Sequence, residues 1–241
     1  MNENPEMILC IPGPWKDRSE LITSIVNCDS GYIFAGRILM NLTSEYSCEL
    51  DYCDRDPQMI GAFQAAGGHW SDTAEMAAIA THQSVVYLIS DGGSREDAEA
   101  MMLAAKALLK AGGLGVKVES AGLAHSPDAW IKMCQNLAQF SAHRALVVYI
   151  TGQDEVYSCG MHNLGLWDAI TTIDDKRQAA ELLRVFTWYQ FTESPELRAG
   201  QTFSVDAESD IYRLREYQGV DYGEESLFSN PYGTWELVPA L

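Results

Sequence analysis

Positive charge is scarce in this sequence. Sixteen Lys and Arg residues stand against 34 Asp and Glu among 241, a formal net charge of -18. A field of that sign repels phosphate backbones and anionic headgroups, so no nucleic acid and no membrane surface is expected as a partner. Long apolar runs are missing as well, none approaching the ~18 uncharged residues that a bilayer crossing needs. Met1 to Glu6 holds two acids, no Lys or Arg and no apolar stretch, which predicts a cytoplasmic rather than an exported protein. The six cysteines, Cys10, Cys28, Cys48, Cys53, Cys134 and Cys159, form no C-x-x-C pair, and a chain of this length does not need disulfide staples. Cys48 and Cys53 flank an alternating run and fall on opposite faces of a strand, which argues against a shared metal. Neither G-x-x-x-x-G-K-[ST] nor G-x-G-x-x-G is present, and no cofactor is implied. Repeats, low-complexity tracts and Ser/Pro linkers are also absent.

What is there describes a folded chain. Apolar residues make up 47% and charged residues 21%, values that exclude disorder, a collagenous repeat and a coiled coil. At 26.7 kDa, folding removes about 70% of the unfolded chain's surface from water. Met7 to Ile11 reads as a buried strand, followed by a helix carrying Leu21, Ile22, Ile25 and Val26. Tyr32 to Leu42 and Tyr46 to Tyr52 read as two strands, and helical patches follow at Pro57 to Ala66 and Asp72 to Ala80. Ser84 to Ser90 is a β-rich run broken by Asp91-Gly92-Gly93-Ser94. The helix from Arg95 has the clearest stripe, with Ala98, Met101, Met102, Ala105, Leu108 and Leu109 stepping by three and four. Ser94 is its N-cap, acids fill its first turn, and Gly112-Gly113 closes it. Leu114 to Glu119 completes a β-α-β unit, right-handed if its strands are parallel.

Ser126-Pro127-Asp128 starts a further helix running toward Leu137. Leu146 to Thr151 is a strand, Gly152 to Trp167 a polar segment, and Lys176 to Phe191 a long amphipathic helix. Short strands are expected at Phe203 to Asp206, Ile211 to Arg215 and Trp235 to Val238, with Asn230-Pro231-Tyr232-Gly233 as a turn. The fold class is therefore α/β or α+β, a mixed β-sheet flanked by amphipathic helices. Two closely packed halves, 1–122 and 123–241, meet at a seam near Ala121 to Ser126.

Two stretches invite a chemical reading. The Gly92-Gly93 turn ahead of a helix resembles a phosphate cradle, but Glu96, Asp97 and Glu99 already occupy the positive end of that helix. The reactive-looking stretch is Tyr157-Ser158-Cys159-Gly160-Met161-His162-Asn163, followed by Asp168. A cysteine nucleophile at Cys159 needs His162 against its sulfur, with Asn163 or Asp168 orienting the ring. A three-residue separation permits this in a turn or helix but not on a regular strand. Zinc would need Cys159 and His162 with further ligands from His69, His125 or His143. The alternative is plain packing, with Cys159 buried and His162 hydrogen-bonded. His82, His125 and His143 sit beside strands or caps, where structural imidazoles are common. The six tryptophans, Trp15, Trp70, Trp130, Trp167, Trp188 and Trp235, read as core, with some free to wall a pocket or interface.

Residues Ala107-Leu108-Leu109-Lys110-Ala111-Gly112-Gly113, Val116-Lys117-Val118-Glu119, Gly122, Trp130 and Tyr157 to Gly165 carry a resemblance to the bacterial family catalogued as domain of unknown function 4261. Gly200-Gln201-Thr202-Phe203-Ser204 and Asn230 to Trp235 extend it, so that it spans residues ~84 to 241. The resemblance implies no reaction, cofactor or catalytic residue. The expectation is a non-catalytic binding or interaction protein, an inhibitor or immunity-type role being one form, whose acidic surface steers a basic protein partner. The competing expectation is a cysteine-dependent hydrolase or transferase using Cys159 and His162.

Overall fold

Alternating apolar residues and their breakers set the order of elements in this computed structural model, which describes residues 4–67, 70–135, 137, 141–218, 220, 222–223 and 226–240. The first strand, β1 (Glu6–Gly13), leads into α1 (Arg18–Asn27), capped by Asp17, whose carboxylate accepts from the Glu20 amide. The run from Tyr32 to Leu42 is not one strand. A turn at Gly36-Arg37 splits it into the hairpin β2 (Tyr32–Ala35) and β3 (Ile38–Asn41), beside which lies β4 (Ser47–Asp54). Two short helices, α2 (Met59–Ala65) and α3 (Ala74–Ile79), precede β5 (Ser84–Asp91) and the long α4 (Arg95–Lys110). Ser94 caps α4 as its sequence position implies, accepting from the Asp97 amide. Then come β6 (Val116–Val118), β7 (Leu123–His125), α5 (Pro127–Gln135) and α6 (Ser141–Leu146).

The remaining elements build a second sheet. They are β8 (Val148–Thr151), β9 (Val156–Cys159), a 3-10 turn at Met161–Leu164, β10 (Asp168–Thr171), α7 (Lys176–Glu193), β11 (Thr202–Phe203), β12 (Tyr212–Tyr217) and β13 (Thr234–Pro239). The expected single mixed sheet is thus two sheets within an α/β fold. The first has strand order β2-β3-β4-β5-β1-β6-β7 and is antiparallel throughout. Strands β5 and β6 are both antiparallel to β1, which lies between them, so the β-α-β unit joins parallel strands that are not neighbours. The second has order β11-β12-β13-β10-β9-β8, and β10 with β13 is its parallel pair.

Each sheet buries one face fully. On the first, Met7, Leu9, Ile11, Leu50, Val86 and Leu88 pack under α1 and α4. On the second, Val156, Ala169, Leu214 and Leu237 pack under Ala179, Leu182 and Phe186 of α7. The first core does not stop at the seam. Trp130, Leu146, Met161, Leu164 and Phe191 belong to the same buried cluster as Leu9 and Leu108, so the halves share apolar packing. The first sheet ends at His125.

Candidate functional site

The reactive-looking segment sits where three turns converge. Strand β9 ends at Cys159, and Gly160 (φ +111) starts the 3-10 turn that Gly165 (φ +73) closes. Both glycines are obligatory. A Cβ on Gly160 would strike the Leu146 carbonyl, and one on Gly165 the Gly93 carbonyl, in a backbone region that other residues rarely enter. The Gly93 amide in turn donates to the Asn163 carbonyl at 3.1 Å, locking the turn against the start of α4.

Within this frame, Asp168 is the hub. Its Oδ1 accepts from Ser158 Oγ at 2.8 Å and from the Met161 amide at 3.4 Å, and its Oδ2 accepts from Asn230 Nδ2 at 2.7 Å. Ser158 Oγ also accepts from the Ala169 amide at 2.8 Å, so a side chain takes the place of a ladder carbonyl where β9 and β10 diverge. Asn230 donates as well to the Leu166 carbonyl and accepts from the Tyr232 amide, which shapes the Asn230-to-Gly233 turn read in the sequence. Asn163 is buried and fully engaged: Ser120 Oγ donates to its Oδ1 at 2.8 Å, and its Nδ2 donates to the Gly160 carbonyl at 3.0 Å.

The four candidate residues Cys159, His162, Asn163 and Asp168 are therefore neighbours, but they do not form a relay. The Cys159 thiol lies 4.0 Å from the Ser120 carbonyl and 3.9 Å from the Phe228 carbonyl. Burial, with the Asp168 charge adding to it, pushes that thiol up to about 12, opposite to what a nucleophile needs. His162 is fully buried, and neither ring nitrogen has a hydrogen-bond partner among the described residues. Its Nδ1 is 3.9 Å from Asp168 Oδ2, beyond hydrogen-bond reach. Asn163 spends its amide on Ser120 and Gly160 rather than on the imidazole.

The zinc alternative finds no set of ligands. Among the described residues no group of three His, Cys, Asp or Glu side chains could hold a metal. His125 Nε2 bonds the Ala145 carbonyl at 2.9 Å, His143 Nε2 faces Thr187 Oγ1 at 3.1 Å, and His69 lies outside the described residues. His82 is buried, its Nδ1 against the Ile79 carbonyl at 2.7 Å. Of the tryptophans, Trp15, Trp70, Trp130 and Trp235 are buried, while Trp167 stacks on Trp235 with ring centroids 4.5 Å apart.

Ser120 and Tyr222 carried no local signal, while Ser158 and Asn230 lie in the stretch and the turn read in the sequence, which gave them no role at the site. With Tyr157, Phe228 and Asp168, the side chains of Ser158, Tyr222 and Asn230 line a cavity of about 130 Å³. Tyr157 and Tyr222 stand edge to face at 6.3 Å, and Tyr222 and Phe228 are 5.6 Å apart. Among the described residues no helix is long and apolar enough to cross a membrane. Comparison of the chain with family models, curated proteins and solved structures gives no match.

Proposed function

We propose that this chain is a non-catalytic binding module for a basic protein partner, working in the cytoplasm, with kinship to the bacterial domain-of-unknown-function-4261 family as part of the same proposal. The observation that carries it is the half-bare second face of the first sheet. Cys10 and Val85 on that face are roofed by Met59, Phe63, Met76 and Ile79 of α2 and α3. Among the described residues the other end has no such roof. There Ala35, Ile38, Glu49, Ile89 and Ile8 stand opposite one another in register across five strands, and Ile38 and Met40 are 45% and 41% exposed.

Charge selects the occupant. Glu6, Asp51, Asp91 and Glu119 surround this row and Glu49 stands within it, against Arg37, which is ion-paired to Glu49 and Asp51, and Lys117, which is ion-paired to Glu119. A second copy of the chain would bring its own charge of -18 to the same place, whereas a basic surface with apolar side chains gains steering and burial together. The protonated, base-free Cys159 speaks against the alternative, a cysteine-dependent hydrolase or transferase.

The test uses a basic protein retained on the immobilised chain at low ionic strength, then purified and titrated against wild type and the Ile38→Lys/Met40→Lys double variant. The expected result is an affinity loss of about tenfold or more in the double variant, with binding that weakens steeply as salt rises. Equal affinity for both proteins, or no basic protein retained, overturns the proposal. Alkylation of Cys159 by iodoacetamide ahead of the exposed Cys53 below neutral pH would restore the enzyme reading.

A further inference from the structure

The carboxyl of Asp168 lacks a cation. The side chain is nearly buried, and every group that reaches it donates: Ser158 Oγ, the Met161 amide and Asn230 Nδ2. Ser158 has no choice, because its oxygen already accepts from the Ala169 amide. Both oxygens are thus met by donors alone, the arrangement a carboxylate accepts. Among the described residues no Lys or Arg lies within ion-pair distance, and the nearest basic atom is His162 Nδ1 at 3.9 Å. A carboxylate taken out of water is costly unless a cation completes its shell.

The cavity beside Asp168 is suited to supply one. Its described lining includes Asp168, Tyr157, Tyr222, Phe228, Ser158 and Asn230, and holds no Lys, Arg or His, so nothing in it favours an anion. Three aromatic side chains, Tyr157, Tyr222 and Phe228, line the same cavity as the carboxylate, and aromatic faces attract cations. Size narrows the ligand. A volume of about 130 Å³ is that of roughly four waters and is well under the ~300 Å³ at which sites for whole cofactors or drug-sized molecules begin. We infer that this cavity is a recognition site for a single guanidinium or alkylammonium head group, with Asp168 as its counter-ion and Tyr157, Tyr222 and Phe228 as its walls. Such a group can come from a free small amine or from a side chain of a bound peptide. The inference does not depend on the bare sheet face and stands or falls without it.

The experiment titrates the intact chain with methylguanidinium and tetramethylammonium chloride, against sodium chloride at equal ionic strength, following backbone amide resonances near Asp168 and Thr234. A saturable shift with either organic cation, absent with sodium, is expected. A Gly-Arg-Gly tripeptide forms the second arm: tighter binding than methylguanidinium assigns the site to a peptide side chain, and weaker binding to a free amine. Tyr222→Leu, which leaves the hydrogen bonds of Asp168 in place, is expected to weaken binding about fivefold. Asp168→Asn is expected to abolish it, and is compared only if its amide spectrum stays folded. Organic cations that shift nothing beyond the sodium control, or bind Tyr222→Leu as well as wild type, overturn the inference.

Discussion

The first sheet and the second bury different chemistry. Around the first, the buried side chains are aliphatic, aromatic and thiol, with His82, Ser84 and Ser120 as the polar ones described. Around the second and the turns that lead into it collect nine of the twelve buried polar side chains among the described residues, including His143, Ser158, His162, Asn163, Asp168, Thr187 and Gln190. Desolvating such groups is unfavourable unless each finds a partner, and a satisfied network holds one geometry more narrowly than aliphatic packing does. The first region therefore supplies bulk stability and a surface, and the second supplies a shaped interior with one imidazole and one carboxylate left incompletely served.

The sharpest way to break that contrast is to remove Asp168. Asp168→Ala strips the acceptor from Ser158, Asn230 and the Met161 amide at once, and the expected loss is about 3–5 kcal/mol in urea denaturation. Because Met161 and Leu164 share a core with Leu9 and Leu108, the expected transition stays single when followed by near-UV and far-UV circular dichroism. Two separate transitions would show that the sheets are independent units.

A smaller effect is expected from His143, held by Thr187 and packed against the rings of Trp188 and Phe191. Burial, with the Arg184 charge adding to it, lowers its pKa to about 4. The native state then keeps His143 neutral while the unfolded chain takes up a proton below about pH 6.5. Stability is thus lost as pH falls from about 6.5 to about 4, by up to about 3 kcal/mol from this group. Denaturation at pH 7 and 4.5 checks the sign: His143→Gln should lose less on acidification than wild type, and an equal loss refutes the assignment. The smallest effect belongs to the first sheet's surface. Met40→Lys, at an exposed position, should change stability by no more than about 0.5 kcal/mol, and a larger loss would mean that the bare face is packed after all.

Much of the fold was legible from local pattern, and the reason is visible element by element. Helix α4 announces itself because its stripe, Ser94 cap and closing glycines agree, and β5 because five consecutive β-formers are bounded by breakers. Strands β9 and β10 were missed. At four residues each, Val-Tyr-Ser-Cys and Asp-Ala-Ile-Thr, they are too short to show a pattern, and their pairing is fixed by partners elsewhere in the chain. The split at Gly36-Arg37 was missed because residues on both sides of the turn are equally apolar. In the candidate site, the two turn-forming glycines were legible, whereas the three-residue spacing left open whether Cys159 and His162 converge. That Asn230, distant in sequence, would answer Asp168, and that His162 would find no hydrogen-bond partner among the described residues, depends on contacts between elements far apart in the chain.

By itself the sequence determined the sign of the surface field, the helices with their caps and the presence of two turn-forming glycines around a thiol and an imidazole, because these follow from composition and from neighbours within a few residues. Tertiary structure alone decided that there are two sheets, that the thiol is buried beside a carboxylate rather than activated by a ring, and that a small aromatic-walled cavity opens on Asp168. Burial and electrostatic environment are properties of everything packed around a group, and most of what surrounds Cys159 and Asp168 comes from segments tens of residues away.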